Sequence, residues 1–237
     1  MSIDNLPTLY LAKMDVVPTY LRRFMAWYED KHAPDTIDVG FYSAQGFHCR
    51  LGAPLVCNVY EIDSSEIFYS DSYQTMRTPA SDPQRPEVLD HVTTRSNITY
   101  KQVLTEGVEL PDRPWRDGVR TGAVDAPVIG VLRFDSDPAD DDELLTFIGK
   151  YFAQISARDG FLRARLGEQH GRPHPARPPT EARWVALVEW SGLDEALASA
   201  TVEQVETDIA AGPGRPSEIS YCVAQCVTTF RRALSDV

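Results

Sequence analysis

The chain has 237 residues, 43% of them hydrophobic and 24% charged, with a net charge of −12 and a pI of about 4.8. That length suits one large domain or two small ones, and the acidity argues against a nucleic-acid partner, which needs a basic face. No run approaches the ~18 apolar residues of a membrane span, and residues 1–8 lack the basic cluster and apolar run of a secretory signal, so a cytoplasmic protein with no membrane partner is expected.

In chain order, residues 9–14 form a short apolar run that predicts a strand. Pro18 suits a first helical turn, and Tyr20, Leu21, Phe24, Trp27 and Tyr28 follow at helical spacing. Pro34 is expected to end that helix, and Gly40 to restart the chain as a strand over 41–49. After a turn at Gly52-Ala53-Pro54 a second strand covers 55–62. Ser64 and Ser65 offer caps for a helix over 66–76, and a loop with Pro79, Pro83 and Pro86 leads through a short segment around Leu89 to a strand over 97–104. The order is βαββαβ.

The second half repeats it. A strand over 128–134 precedes a helix that opens on Asp140, Asp141 and Asp142, where negative charge is favoured. Leu144, Leu145, Phe147, Ile148, Tyr151, Phe152 and Ile155 form that helix's apolar face, and Gly160-Phe161 opens a strand to 166. A loop rich in His, Pro and Arg, a strand over 184–190, a helix over 193–209 and a strand over 219–230 complete the unit. Gly40-Phe41 and Gly160-Phe161 stand 120 residues apart. The expected organisation is a first repeat over 1–106, a linker over 107–127 and a second repeat over 128–237. A four-stranded sheet with both helices on one face leaves its other face apolar and bare, so two such faces should pack together. Runs such as Val128-Ile129-Gly130-Val131-Leu132, without alternation, fit strands buried on both sides.

The four cysteines form no metal motif. Cys222 and Cys226 lie on one strand, about 13 Å apart by strand geometry, and Cys49 and Cys57 flank a turn where a disulfide is possible but reduced thiols are expected. The arginines of the second half (Arg158, Arg163, Arg165, Arg172, Arg177, Arg183) read as solvated strand and loop residues.

The segment Trp27-Tyr28-x-x-x-His32-x-Pro34, followed by Gly40-Phe41 and a strand, resembles the EthD-like branch of the dimeric α+β barrel superfamily. The resemblance implies an α+β fold of two ferredoxin-like βαββαβ repeats packed sheet to sheet, here as a tandem duplication forming a barrel in a single chain. It also implies a pocket between sheet and helices in which a helix-end histidine can work. The proline usual before the glycine of the second strand is missing here, and the connection from helix to strand is longer.

His32 is the candidate general acid or base, since imidazole titrates near neutrality. Tyr28, four residues earlier, shares its helical face and is the candidate hydrogen-bonding partner. The structural alternative for His32 is a cation at the helix C-terminus. Trp27 and Phe24 would wall a pocket or belong to a core. Tyr42, Gln45, Asn58, Tyr60 and His91 are further candidates for substrate contact, with strand register undetermined. His48, His170 and His174 read as exposed or satisfied. No nucleotide, zinc or nucleophile-elbow motif is present, so neither a cofactor nor a metal is expected. The expected function is a cofactor-independent enzyme (cyclase, dehydratase, decarboxylase or isomerase type) acting on a small apolar or aromatic carbonyl or phenolic compound. The alternatives are a non-catalytic binder of such a compound and a haem-dependent or cofactor-free monooxygenase. A monomeric barrel and a homodimer both remain open.

Overall fold

Strands β1 (Thr8–Val16), β2 (Ser43–Leu51), β3 (Val56–Ile62) and β4 (Val92–Glu106) come from the first half of the chain. The second half supplies β5 (Val128–Asp135), β6 (Phe161–Gln169), β7 (Trp184–Trp190) and β8 (Ser217–Arg231). They belong to a computed structural model that describes residues 3, 6–108, 124–175, 182–199 and 201–231. All neighbouring pairs are antiparallel, and the order β1-β3-β2-β8-β5-β7-β6-β4 closes into a barrel. Each half contributes its strands in the order fourth, first, third, second.

The barrel expected of a single chain is thus present, and the halves close it by hydrogen bonding edge to edge along two seams. β4 and β8, fifteen residues each, make this possible. The first part of β4 pairs with β1 and its end, from Tyr100 to Glu106, with β6. β8 pairs with β5 and then, from Val223 to Arg231, with β2. Both strands extend beyond their apolar runs into polar residues, which is why the sequence pattern shortens them.

Leu9, Leu11, Val59, Ile98, Ile129, Val131, Val185 and Leu187 point into the barrel and form a core that both halves share. The alternate residues face the helices: Tyr10, Ala12 and Met14 on β1 in the first half, and Leu132, Phe134, Ala186 and Val188 in the second. Burial on both faces accounts for strands without alternation. Of the expected linker, residues 109–123 lie outside the described ones, as does Arg177; Val124 and Ala126 are buried against the barrel interior.

The helices over the first half are α1 (Leu21–Trp27), α2 (Ala33–Asp38), α3 (Asp71–Met76) and α4 (Arg85–Asp90). Those over the second are α5 (Asp141–Ile155), α6 (Leu193–Ser199) and α7 (Val202–Ala210). Pro34 does not end the first helix. Tyr28–His32 form a π turn in which the Ala33 N–H reaches the Tyr28 carbonyl, and the helix continues to Asp38. The wider turn makes room for a ring that would clash with the carbonyl four residues back in an α-helix. The helix expected over 66–76 is a 3-10 turn (Ser65–Tyr69) followed by α3, capped by the Ser70 hydroxyl rather than by Ser64 or Ser65. That expected over 193–209 is interrupted, and Thr201 caps α7. All four cysteines are free, and Cys49 lies nearest Cys222 across the β2–β8 seam, Sγ to Sγ 3.8 Å, rather than Cys57. Among the described residues no helix is long and apolar enough to cross a membrane.

Candidate functional site

Between the helix-facing side of the first-half sheet and its helices lies a narrow cavity lined by Tyr10, Ala12 and Met14 of β1, Asn58 and Tyr60 of β3, and Phe24, Trp27, Tyr28 and His32. The π turn places Tyr28 and His32 on this side together, their ring centroids 5.8 Å apart. Tyr28 lies flat against β2 because Gly46 has no side chain there; a Cβ would stand 2.9 Å from the Tyr28 ring. Trp27 stacks under the His32 imidazole at 4.9 Å with 10° between planes. Its indole N–H donates to Asp82, which also accepts from the Arg85 backbone N–H. Tyr60 stacks on Tyr10 at 5.0 Å and turns its edge to both Tyr28 and His32, 6.4 Å away in each case. The cavity has a volume of about 40 Å³, room for a few waters as folded. A ring-sized ligand needs side chains at its mouth to swing aside.

The polar groups in the cavity are unevenly satisfied. Tyr10 donates to Asn97 at 2.8 Å. Asn58 donates weakly to Tyr60, at 3.5 Å, while its Oδ1 and the Tyr28 hydroxyl are buried and make no hydrogen bond of ordinary geometry. Burial raises the pKa of Tyr10, Tyr28 and Tyr60, which stay protonated phenols at neutral pH. Burial, and then the charges of Arg85 and Arg77, hold the His32 pKa well below its ordinary value, so its imidazole is neutral. Arg85 Nη1 sits 3.3 Å from His32 Nδ1. A guanidinium can only donate, so Nδ1 accepts and the ring proton sits on Nε2.

A second histidine arrives from the other half of the chain. The connection after β6 crosses onto the first half, where the Arg172 N–H donates to the Ser65 hydroxyl, Arg172 lies over the Tyr69 ring, and the Tyr69 hydroxyl donates to the Pro173 carbonyl. His174 is thereby buried in the cavity wall, its Nε2 2.8 Å from the Tyr73 hydroxyl and its ring parallel to Tyr10. Burial and the charges of Arg77, Arg95 and Arg85 push its pKa down to about 3. Of the two expected states, exposed or satisfied, His174 takes the second.

Of the residues singled out in the sequence, His32, Tyr28, Trp27, Phe24, Asn58 and Tyr60 line one cavity. Tyr42, Gln45 and His91 do not. Tyr42 is aimed at Asp63, Gln45 is buried on the interior side of β2, and His91 stacks on Tyr20 at 3.7 Å. Residues the sequence reading missed are Tyr10, Met14, Tyr73, Arg77, Arg85, Arg95, Asn97 and His174. Tyr10 and Met14 share the β1 face with Ala12, a signal available once register is known. Arg77 and His174 lie on connecting segments, Arg85 opens the short helix α4 and Arg95 lies near the start of β4, and none of them carries a periodic signal.

The corresponding place in the second half differs. Phe152 stands 120 residues after His32 and Ile148 after Tyr28, and the cavity there is about half as large, about 20 Å³ by the same measure. Helices α5, α6 and α7 carry no histidine that could ligate a haem iron. Among the described residues no three His, Cys, Asp or Glu side chains gather as a metal site.

No protein-family model matches the sequence, and no curated protein matches it. Solved structures do match its fold over nearly the whole chain. An anthrone oxidase-like protein superposes with a TM-score of 0.63 at 14% identity, over 98% of this chain and 96% of that one. A provisionally named monooxygenase from Lactobacillus acidophilus NCFM gives 0.57 at 11%, over 96% and 97%. A provisionally named chlorite dismutase gives 0.53 at 12%, over 94% and 95%. The chain shares the fold of these proteins.

Proposed function

We propose that the chain is a tandem duplicate of an EthD-like βαββαβ unit in which the first repeat is the working one, and that it oxidises a flat phenolic or enolisable carbonyl compound without a cofactor. The observation that carries this reading is a neutral His32 imidazole, stacked on Trp27 and touched by Arg85, beside a cavity walled by Tyr28 and Tyr60. Such a compound has an acidic C–H or O–H and stacks well on aromatic walls. Cyclisation, dehydration, decarboxylation and isomerisation start from the same proton transfer. The names of the fold neighbours, an anthrone oxidase-like protein and a monooxygenase, favour oxidation over a lyase or isomerase reaction.

The chemistry follows from the contacts. Arg85 turns from Nδ1 to the substrate oxygen, which frees Nδ1 to take the proton, while the Tyr28 hydroxyl donates to that oxygen and gains the hydrogen bond it lacks. The oxyanion offsets the field of Arg85 and Arg77, so the imidazolium left by the transfer is paired rather than isolated. With an anthrone-type methylene, O2 adds to the carbanion, the resulting hydroperoxide loses water, and the methylene becomes a carbonyl with one water released.

Oxygen uptake and quinone absorbance with anthrone, native protein against His32→Gln, test this. Loss of a general base lowers the rate by about 10²–10⁴-fold, with the unfolding midpoint preserved. A His32→Gln protein as fast as the native one overturns the reading. A second reading, a binder without turnover, is favoured by the Arg85 contact that occupies Nδ1 in the empty site. Saturable binding with no oxygen uptake selects it.

A further inference from the structure

We infer that the cavity recognises a carboxylate carried by its ligand, so that the substrate class is a flat aromatic acid. The inference rests on the reading of this cavity as the working site and goes beyond it by naming the ligand's charge. Three guanidinium groups, those of Arg77, Arg85 and Arg95, line the cavity together with His32 and His174, and no described lining residue is an Asp or Glu. In a chain of net charge −12 this is a local reversal of sign. Neither Arg77 nor Arg85 forms an ion pair with a described carboxylate. Asp82, whose charge acts on Arg85, has its two oxygens committed to the Trp27 indole and the Arg85 backbone N–H.

Arg77 is placed by its contact with the Tyr73 ring, 5.5 Å from the centroid, and its Nε is buried without a hydrogen-bond partner. Arg85 lies 5.8 Å over Trp27 and, among the described residues, its guanidinium meets the neutral His32 imidazole. Positive groups gathered in a half-buried place repel one another and lose solvation, an arrangement that an anion relieves. A guanidinium fork meets a carboxylate with two parallel hydrogen bonds, and the aromatic walls hold a ring behind it. The carboxylate is thus read at the arginine side of the cavity, while the ring's oxidisable position faces His32.

Calorimetric titration of the native protein with 2-naphthoate, methyl 2-naphthoate and 2-naphthol tests this without any turnover. The acid is expected to bind at least tenfold more tightly than the ester, about 1.4 kcal/mol, with the gap shrinking as salt rises. Arg77→Gln brings acid and ester to within about threefold, whereas Arg23→Gln, on an exposed pair with Glu87, leaves the gap as it is. Equal binding of acid and ester by the native protein overturns the inference, as does no detectable binding of the acid or a preference untouched in Arg77→Gln. Selective binding of the acid with no oxidation of an anthrone carboxylate would leave the inference standing and remove the enzymatic reading.

Discussion

Acid should weaken this protein before its carboxylates titrate, and His174 is the group through which to show it. In the folded chain its ring is buried among Tyr10, Phe68 and Tyr73 and faces Arg77, Arg85 and Arg95, which with burial hold its pKa at about 3. In the unfolded chain the same group titrates near about 6.5. The depressed value means that the unfolded state binds the proton more readily, so stability falls as the pH drops below the unfolded pKa. Linkage between pH 7 and pH 5 gives a loss of about 2 kcal/mol from this residue alone, with a limiting slope of about 1.4 kcal/mol per pH unit. His32, also held neutral, adds to it with the same sign. Glu61, whose pKa burial raises, acts in the opposite sense and cancels when native protein and variant are compared. Urea denaturation across pH 5 to 8 measures the effect. His174→Gln keeps an amide within reach of Tyr73 and removes the titration, so its curve should be flatter than the native one by about 2 kcal/mol over that interval. Parallel curves would refute a buried neutral His174.

Two further substitutions test other parts of the framework. Gly46→Ala places a Cβ 2.9 Å from both the Tyr28 ring and a Thr228 methyl; overpacking of this kind costs about 1–3 kcal/mol, read by denaturation, and it should also weaken ligand binding by displacing Tyr28. Glu189 is fully buried between Arg163 and Arg165 inside the barrel, so Glu189→Ala takes from the buried Arg165 the carboxylate it is bonded to and should lose about 3–5 kcal/mol, seen as a lower melting temperature.

The framework was legible because apolar runs and glycine punctuation mark strands that are buried on both faces. Gly40-Phe41 and Gly160-Phe161 aligned the two halves, and the strand order within each half agrees with that alignment. The barrel was expected from the resemblance alone; the strand pattern did not show which edges close it, because the pairing of β4 and β8 along the seams is decided between halves. The aromatic-His face of the first helix was readable from spacing, and a pocket beside it was implied by the resemblance. The π turn was not, since a proline inside a helical pattern reads as a stop. Arg77, Arg85 and His174 escaped notice for a different reason. Arg77 and Arg85 flank the irregular stretch between α3 and α4, and the arrival of His174 depends on how the connection after β6 packs against Ser65 and Tyr69 in the other half. Tyr42, Gln45 and His91 looked equally eligible because a strand or loop position alone does not say which face a side chain takes.

The central claim is that a flat aromatic ligand enters the cavity beside His32, and the methionine methyl groups report on it directly. Of the four methionines, Met14 lines the cavity while Met25 lies on α1 outside it. In the methyl spectrum of the protein labelled at methionine, titration with 2-naphthoate should shift the Met14 resonance by ring current, saturating with the calorimetric affinity, and leave Met25 in place. A saturating ligand that leaves Met14 unmoved would contradict the account.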